Sequence, residues 1–221
     1  MIVIGIVGAP AGGKSTVAGY LEELGATWIN ADLVARDVLQ SPEIQAKLIS
    51  HFGPEITGSD GQIERTALAS VVFGDDEPSR TALHYLESVI HPPTREEITE
   101  RLATAERSGV KVAILDVPLL FESKWDRSCD EIWFVDAPWA HRLRRAKQRG
   151  WDESELRKRE SNQLSTDEKR RLSSCVIENG SGLTDLRRIV RSHWDKLTHL
   201  GNNGAAAPSI DTHCRTIADR N

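Results

Sequence analysis

Cysteine, methionine, tyrosine and phenylalanine are scarce in this 221-residue chain, at three, one, two and four copies. The cysteines, at 129, 175 and 214, are odd in number and widely spaced, so they form neither a disulfide framework nor a zinc pattern and point to a reducing cytoplasm. Long apolar runs are missing as well. None approaches the roughly 18 residues of a membrane span, and residues 2–7 are too short for a secretion signal and follow no basic stretch. An excess of positive charge is also absent. With 28 Lys+Arg against 33 Asp+Glu the net charge is −5, which argues against a dedicated nucleic-acid binder. Neither DxxG nor NKxD occurs, and the nearest string to the second, Ser123-Lys124-Trp125-Asp126, lacks the amide-bearing first residue. Both absences argue against a GTPase-type switch. The remaining composition, 39% hydrophobic and 28% charged, is that of a globular chain able to bury roughly 70% of its unfolded surface.

Five short apolar runs read as strands: residues 2–7, 27–29, 111–115, 131–135 and 175–177. Runs such as KVAIL and EIWFV, without alternation, suit strands covered on both faces of a parallel sheet. Val17, Tyr20, Leu21 and Leu24 keep helical spacing after the first strand, and Gly25 suits the C-cap. From 33 to about 107 the pattern is mostly helical, with Pro42, Pro78, Pro92 and Pro93 expected at helix starts. A last helix over about 184–200 places Leu183, Leu186, Val190, Trp194 and Leu197 on one face. Residues 201–221, rich in Gly, Asn, Ala and Pro, read as a flexible tail. Strands alternating with helices predict an α/β fold with a mostly parallel sheet.

Between the first strand and the first helix stands Gly8-Ala9-Pro10-Ala11-Gly12-Gly13-Lys14-Ser15, which satisfies GxxxxGK(S/T). Glycines let consecutive backbone N–H groups wrap inward around phosphates, and the helix adds its positive end. Lys14 is placed to reach the β- and γ-phosphates of ATP, and the Ser15 hydroxyl to ligate Mg²⁺. This strand–loop–helix context predicts nucleoside triphosphate binding through Gly8, Ala11, Gly12, Gly13, Lys14, Ser15 and Thr16.

Three acids end the strands, at the sheet edge where ligands of open α/β folds collect. Asp32, expected beside the phosphate-loop strand, is either a base that orients an attacking hydroxyl or the N-cap of a helix starting at Leu33. Asp116, after four apolar residues, reads as a metal-holding carboxylate or a solvated strand end. Asp136, before Ala137-Pro138, reads as a helix cap. Residues 141–171 then carry eleven basic side chains against six acidic ones. Much of this is solvated helix face. It also has the position and charge of a kinase lid, with Arg149 and Arg159 as the preferred pair to stabilise a transferred phosphoryl group.

Taken in order, the segments resemble the dephospho-CoA kinase family from residue 4 to about 197. They are Gly13-Lys14-Ser15-Thr16; Asn30-Ala31-Asp32; Phe52-Gly53; Asp60-Gly61 with Arg65; Val72-Phe73; and Ile90-His91-Pro92. Asp116-Val117-Pro118-Leu119-Leu120-Phe121-Glu122, Gln163, Lys169-Arg170 and Val176-Ile177-Glu178-Asn179 complete the series. The resemblance implies a P-loop NTPase three-layer fold in one domain over 1–200. It divides that domain into a core (1–32, 108–141, 173–200), a helical acceptor-binding part (33–107) and a basic lid (142–172). It implies ATP-dependent phosphorylation of the ribose 3′-hydroxyl of dephospho-CoA. Asp32 would be the catalytic aspartate, Arg149 and Arg159 lid arginines, and Asn179 part of the nucleotide site. Arg65, His91, Pro118 and Leu119 would meet the acceptor, and Ser15 and Asp116 the Mg²⁺. The partner is a small molecule, with no nucleic acid or membrane, and the chain is expected as a monomer or small homo-oligomer.

Some positions depart from the family pattern. Ala9 and Ala11 stand where glycines are usual, and are expected to restrict the positive φ angles open to the loop. Asn30 takes the place of a frequent aspartate, Asn162 that of a small residue, and Ser173-Ser174 that of an Ala-Asp pair. A nucleoside or nucleoside-monophosphate kinase, or a non-catalytic ATP-binding regulator, are the alternative readings.

Overall fold

The five expected strands are Ile2–Gly8 (β1), Thr27–Asn30 (β2), Val112–Asp116 (β3), Glu131–Asp136 (β4) and Cys175–Glu178 (β5). In the computed structural model, which describes residues 1–74 and 76–200, they form one sheet in the order β2-β3-β1-β4-β5, with every pairing parallel. The expected tail at 201–221 lies outside the described residues.

One expectation about the sheet fails. β2 does not lie beside β1, because β3 is inserted between them. Burial explains the exchange. All five β3 residues are buried, so VAILD needs a neighbour on each side, whereas β2 buries one residue of four and suits the edge. Asp116 therefore ends the strand adjoining the phosphate-loop strand, with Asn30 opposite it in register.

The chain divides into two compact units, Ala31–Thr104 and the remainder. In the larger unit, Lys14–Glu23 (α1) and Leu183–Leu200 (α9) cover the sheet. Val17, Leu21, Leu186 and Val190 pack with Ile4, Ile6, Ile114, Trp133 and Ile177. Trp194 and Leu197 join this core as expected, but Leu183, in the first turn of α9, is 65% exposed. Asp136 caps no helix. It ends β4, and its carboxylate pairs with Arg170, while Pro138 occupies the N-cap of the next helix.

The smaller unit holds Ala31–Leu39 (α2), Pro42–Phe52 (α3), Arg65–Val72 (α4) and most of Glu77–Arg107 (α5). Its core is Ile44, Leu48, Ile56, Ile63, Leu68 and Val72. Pro42 opens α3 under a Ser41 cap, and Pro78 lies in the first turn of α5, both as expected. Pro92 and Pro93 do not start a helix; they lie inside the 31-residue α5. Prolines there remove the N–H groups that would reach the Ser88 and Val89 carbonyls. Just beyond them, the Thr94 hydroxyl donates to the Ile90 carbonyl at 2.8 Å, and packing against the unit's core sustains the helix.

Candidate active site

The loop between β1 and α1 is tight because its backbone has almost no room beside it. A side chain at Gly8 would come within 2.8 Å of the Val135 carbonyl. Gly13 has φ +96°, and a Cβ there would collide with Asn179 Nδ2. Gly12 N–H closes the turn onto the Ala9 carbonyl at 2.9 Å. Gly13 is the N-cap of α1 without any side-chain cap, and the first turn of α1 carries no acid. The helix thus presents its positive end with no acid of its own first turn to answer it, as suits an anion site.

Two side chains hold this loop from behind. Asn179 Nδ2 donates to the Gly12 carbonyl at 2.7 Å. Arg145 donates to the Gly12 and Ala11 carbonyls at 3.1 and 3.4 Å, and to Asn179 Oδ1 at 3.3 Å. Tying the carbonyls back in this way leaves the opposite face of the loop to its N–H groups. Burial, then neighbouring Arg144 and Arg149, holds Arg145 below the ordinary arginine range. Sequence reasoning included Arg145 in the basic run without singling it out. The signal was helical spacing: Arg142 and Ala146, both buried, mark the inward face of Trp139–Gln148 (α6), and Arg145 borders it.

Ala11 enters the left-handed region, φ +58°, while Ala9 does not. The expected restriction by these alanines is thus overridden at one position, at the cost of strain. Ala11 is also buried against Ala146 and Leu156. Relief of roughly 1–2 kcal/mol of strain in Ala11→Gly is offset by losing a buried methyl, about 0.8 kcal/mol, and by added unfolded-state entropy of roughly 0.5–1 kcal/mol. Denaturant unfolding is expected to find Ala11→Gly within about 1 kcal/mol of wild type. Ala11→Val, branched in the same backbone region and crowding the same packing, should lose more than ~2 kcal/mol.

Asp116 is buried, 6% exposed, at the carboxyl end of β3, and Asn30 Nδ2 donates to its Oδ2 at 3.4 Å. Ser15 is exposed at the start of α1. Among the described residues no group of three His, Cys, Asp or Glu side chains could hold a metal. Pro118 and Leu119 follow β3 as exposed residues, and Glu122 Oε1 accepts from the Leu164 N–H at 2.7 Å.

The basic segment forms three helices: α6, Glu153–Ser161 (α7) and Thr166–Leu172 (α8). Trp139, Leu143 and Trp151 pack with Ala11, Ala146 and Leu156, so the phosphate loop and these helices share one apolar cluster. Arg149 and Arg159 come together on Trp151, their guanidinium carbons 5.7 and 4.1 Å from its ring centroid. Both are exposed, and Arg159 also pairs with Glu155 at 2.7 Å. Arg142, which sequence reasoning did not select, is buried and pairs with Glu160 at 3.0 Å.

In the smaller unit, Asp32 lies in the first turn of α2, which begins at Ala31, so it is not the N-cap of a helix starting at Leu33. It is exposed and, among the described residues, makes no hydrogen bond or ion pair. Arg65 opens α4 and His91 lies within α5, both exposed.

The dephospho-CoA kinase family model matches residues 2–185. A dephospho-CoA kinase of Rhodopirellula baltica is 40% identical over 190 residues, covering 86% of this chain and 88% of the relative. One from Corynebacterium glutamicum is 39% identical over 194 residues, covering 87% and 97%. A solved Thermus thermophilus structure, 34% identical, superposes with a TM-score of 0.73 over 89% of this chain and 97% of its own. The fold is also that of the dephospho-CoA kinase of Campylobacter jejuni, with a TM-score of 0.65 at 21% identity over 88% and 96%. With a family model matched over most of its length and relatives 40% and 39% identical, this chain belongs to the dephospho-CoA kinase family.

Proposed function

We propose that Gly8–Thr16, Asn179, Asp32 and the basic helices divide the family's reaction among them: transfer of the γ-phosphoryl of ATP to the ribose 3′-hydroxyl of dephospho-CoA, giving coenzyme A and ADP. The observation that carries the reading is the uncapped N-terminus of α1, with its loop carbonyls tied back by Asn179 and Arg145. Loop N–H groups and Lys14 hold the β- and γ-phosphates, and Ala11 to Thr16 follow their contour.

Asp32 accepts the proton of the 3′-hydroxyl and orients its oxygen for in-line attack. The chain ties it to the end of β2, two residues beyond Asn30, and no other side chain occupies its carboxylate among the described residues. Arg65, His91, Pro118 and Leu119 contact the acceptor. Arg149 and Arg159 leave Trp151 to meet the phosphates, since a guanidinium gains more from phosphate oxygens than from an aromatic face.

Ser15 and Asp116 suit Mg²⁺ by chemistry: both offer hard oxygen donors, and this cation commonly takes one or two protein ligands besides substrate phosphates. When bound there, it would neutralise charge on the phosphate oxygens. The protein acts in the cytoplasm on a small-molecule substrate, as a monomer or small homo-oligomer.

The test is ADP release from ATP with dephospho-CoA, adenosine, AMP or no acceptor. ADP formed with dephospho-CoA alone, matched by a 3′-phosphorylated product, is the expected result. Equal release with and without acceptor would mean that the acceptor residues are misassigned and the chain hydrolyses ATP.

A further inference from the structure

One buried cation, on a helix packed against the strand that leads into the phosphate loop, forms no ion pair among the described residues. Lys169, on α8, is only 3% exposed, and α8 packs against β1 and β4. Its ammonium donates to Gln163 Oε1 at 2.6 Å, and no described carboxylate forms an ion pair with it. Glu122 and Glu160 lie close enough to favour its charge, yet each is committed elsewhere. Glu122 accepts from the Leu164 N–H, and Glu160 pairs with buried Arg142. Burial lowers the pKa of Lys169, and Lys14 pushes in the same direction, so Lys169 lies within electrostatic reach of the phosphate-loop ammonium.

A neutral amide is poor compensation for a buried charge. Two neighbouring lysines, one on a phosphate loop, are balanced when an anion lies between them. We propose that Lys169 is a second phosphate-binding lysine, which together with Lys14 contacts the terminal phosphoryl of ATP and stabilises it during transfer. Gln163 orients the ammonium through one of its three N–H bonds and leaves two for phosphate oxygens. Lys169 keeps its proton throughout. The bond from the γ-phosphorus to the ADP oxygen breaks, a bond to the acceptor oxygen forms, and the acceptor proton passes to Asp32. The proposal rests on reading Gly8–Ser15 as the phosphate loop.

Calorimetric titration with ADP and with a non-hydrolysable ATP analogue, AMP-PNP, separates the possibilities. Lys169→Met is expected to weaken AMP-PNP by about tenfold or more, to leave ADP within about twofold, and to lower kcat about 10²-fold. Lys169→Gln carries the same readout should the methionine variant fail to fold. Gln163→Ala, which keeps the ammonium but removes its orienting acceptor, should shift the ratio of the two affinities in the same direction by less. Equal weakening of both ligands by Lys169→Met, or no weakening of either, would overturn the proposal and make Lys169 a brace for the Gln163 turn. Lys14→Ala is expected to weaken both ligands. If it weakens neither, the phosphate-loop reading itself falls, and this proposal with it.

Discussion

Lys14→Ala is expected to lower kcat/KM for ATP by on the order of 10²–10⁴ while leaving the fold intact. The lysine is the loop's only cation, placed at the first residue of a helix whose positive end is uncapped. Its charge disfavours that of buried Lys169, so its removal relieves repulsion between like charges. Loss of activity with an unchanged or slightly raised thermal midpoint would locate its contribution in phosphate binding and transfer. Initial rates with dephospho-CoA, together with thermal unfolding without ligand, make the comparison. Turnover at the wild-type level would remove Lys14 from the phosphates.

Asp32→Asn is the second large effect, and it should fall on a different kinetic constant. The substitution keeps size and hydrogen-bonding capacity but cannot accept the hydroxyl proton. A fall in kcat of on the order of 10²–10⁴, with KM for ATP little changed, is expected. Stability should barely respond, because the side chain is exposed and makes no hydrogen bond among the described residues. Its favourable position near the α2 N-terminus is screened by solvent. A proportionate rise in KM for dephospho-CoA at constant kcat would instead make Asp32 a binding residue for the acceptor.

These two predictions differ in how their residues could be found. Lys14 was legible because its chemistry is local: strand, glycine loop and helix follow one another in sequence, and the spacing of the loop fixes what the lysine can reach. Asp32 was ambiguous from spacing, since an acid at a strand–helix junction can equally cap the helix. The structure removes that alternative by starting α2 at Ala31. The way the loop is held from behind was not legible. Asn179 was placed at the nucleotide site by the resemblance alone and Arg145 only bordered the inward face of its helix, and their reach to Gly12 across 167 and 133 residues of sequence shows in no local pattern. Lys169 stood in a charged run and in one of the segments that carry the resemblance, with no role assigned to it. Only the packing of α8 against the sheet removes it from water.

The sequence by itself determined the α/β class, the five strands, the phosphate loop and the family, because each depends on short-range periodicity or on the order of motifs along the chain. Tertiary structure decided the strand order, in which fully buried β3 displaces β2 from the side of β1. It also carried α5 through Pro92-Pro93, where packing outweighs two lost helical hydrogen bonds. And it placed Ala11 in the left-handed region, where the closure of the loop and the apolar cluster around its methyl outweigh the strain. In each case a local preference of modest size yields to burial, which sums over residues far apart in the chain and so cannot be read from any one stretch of it.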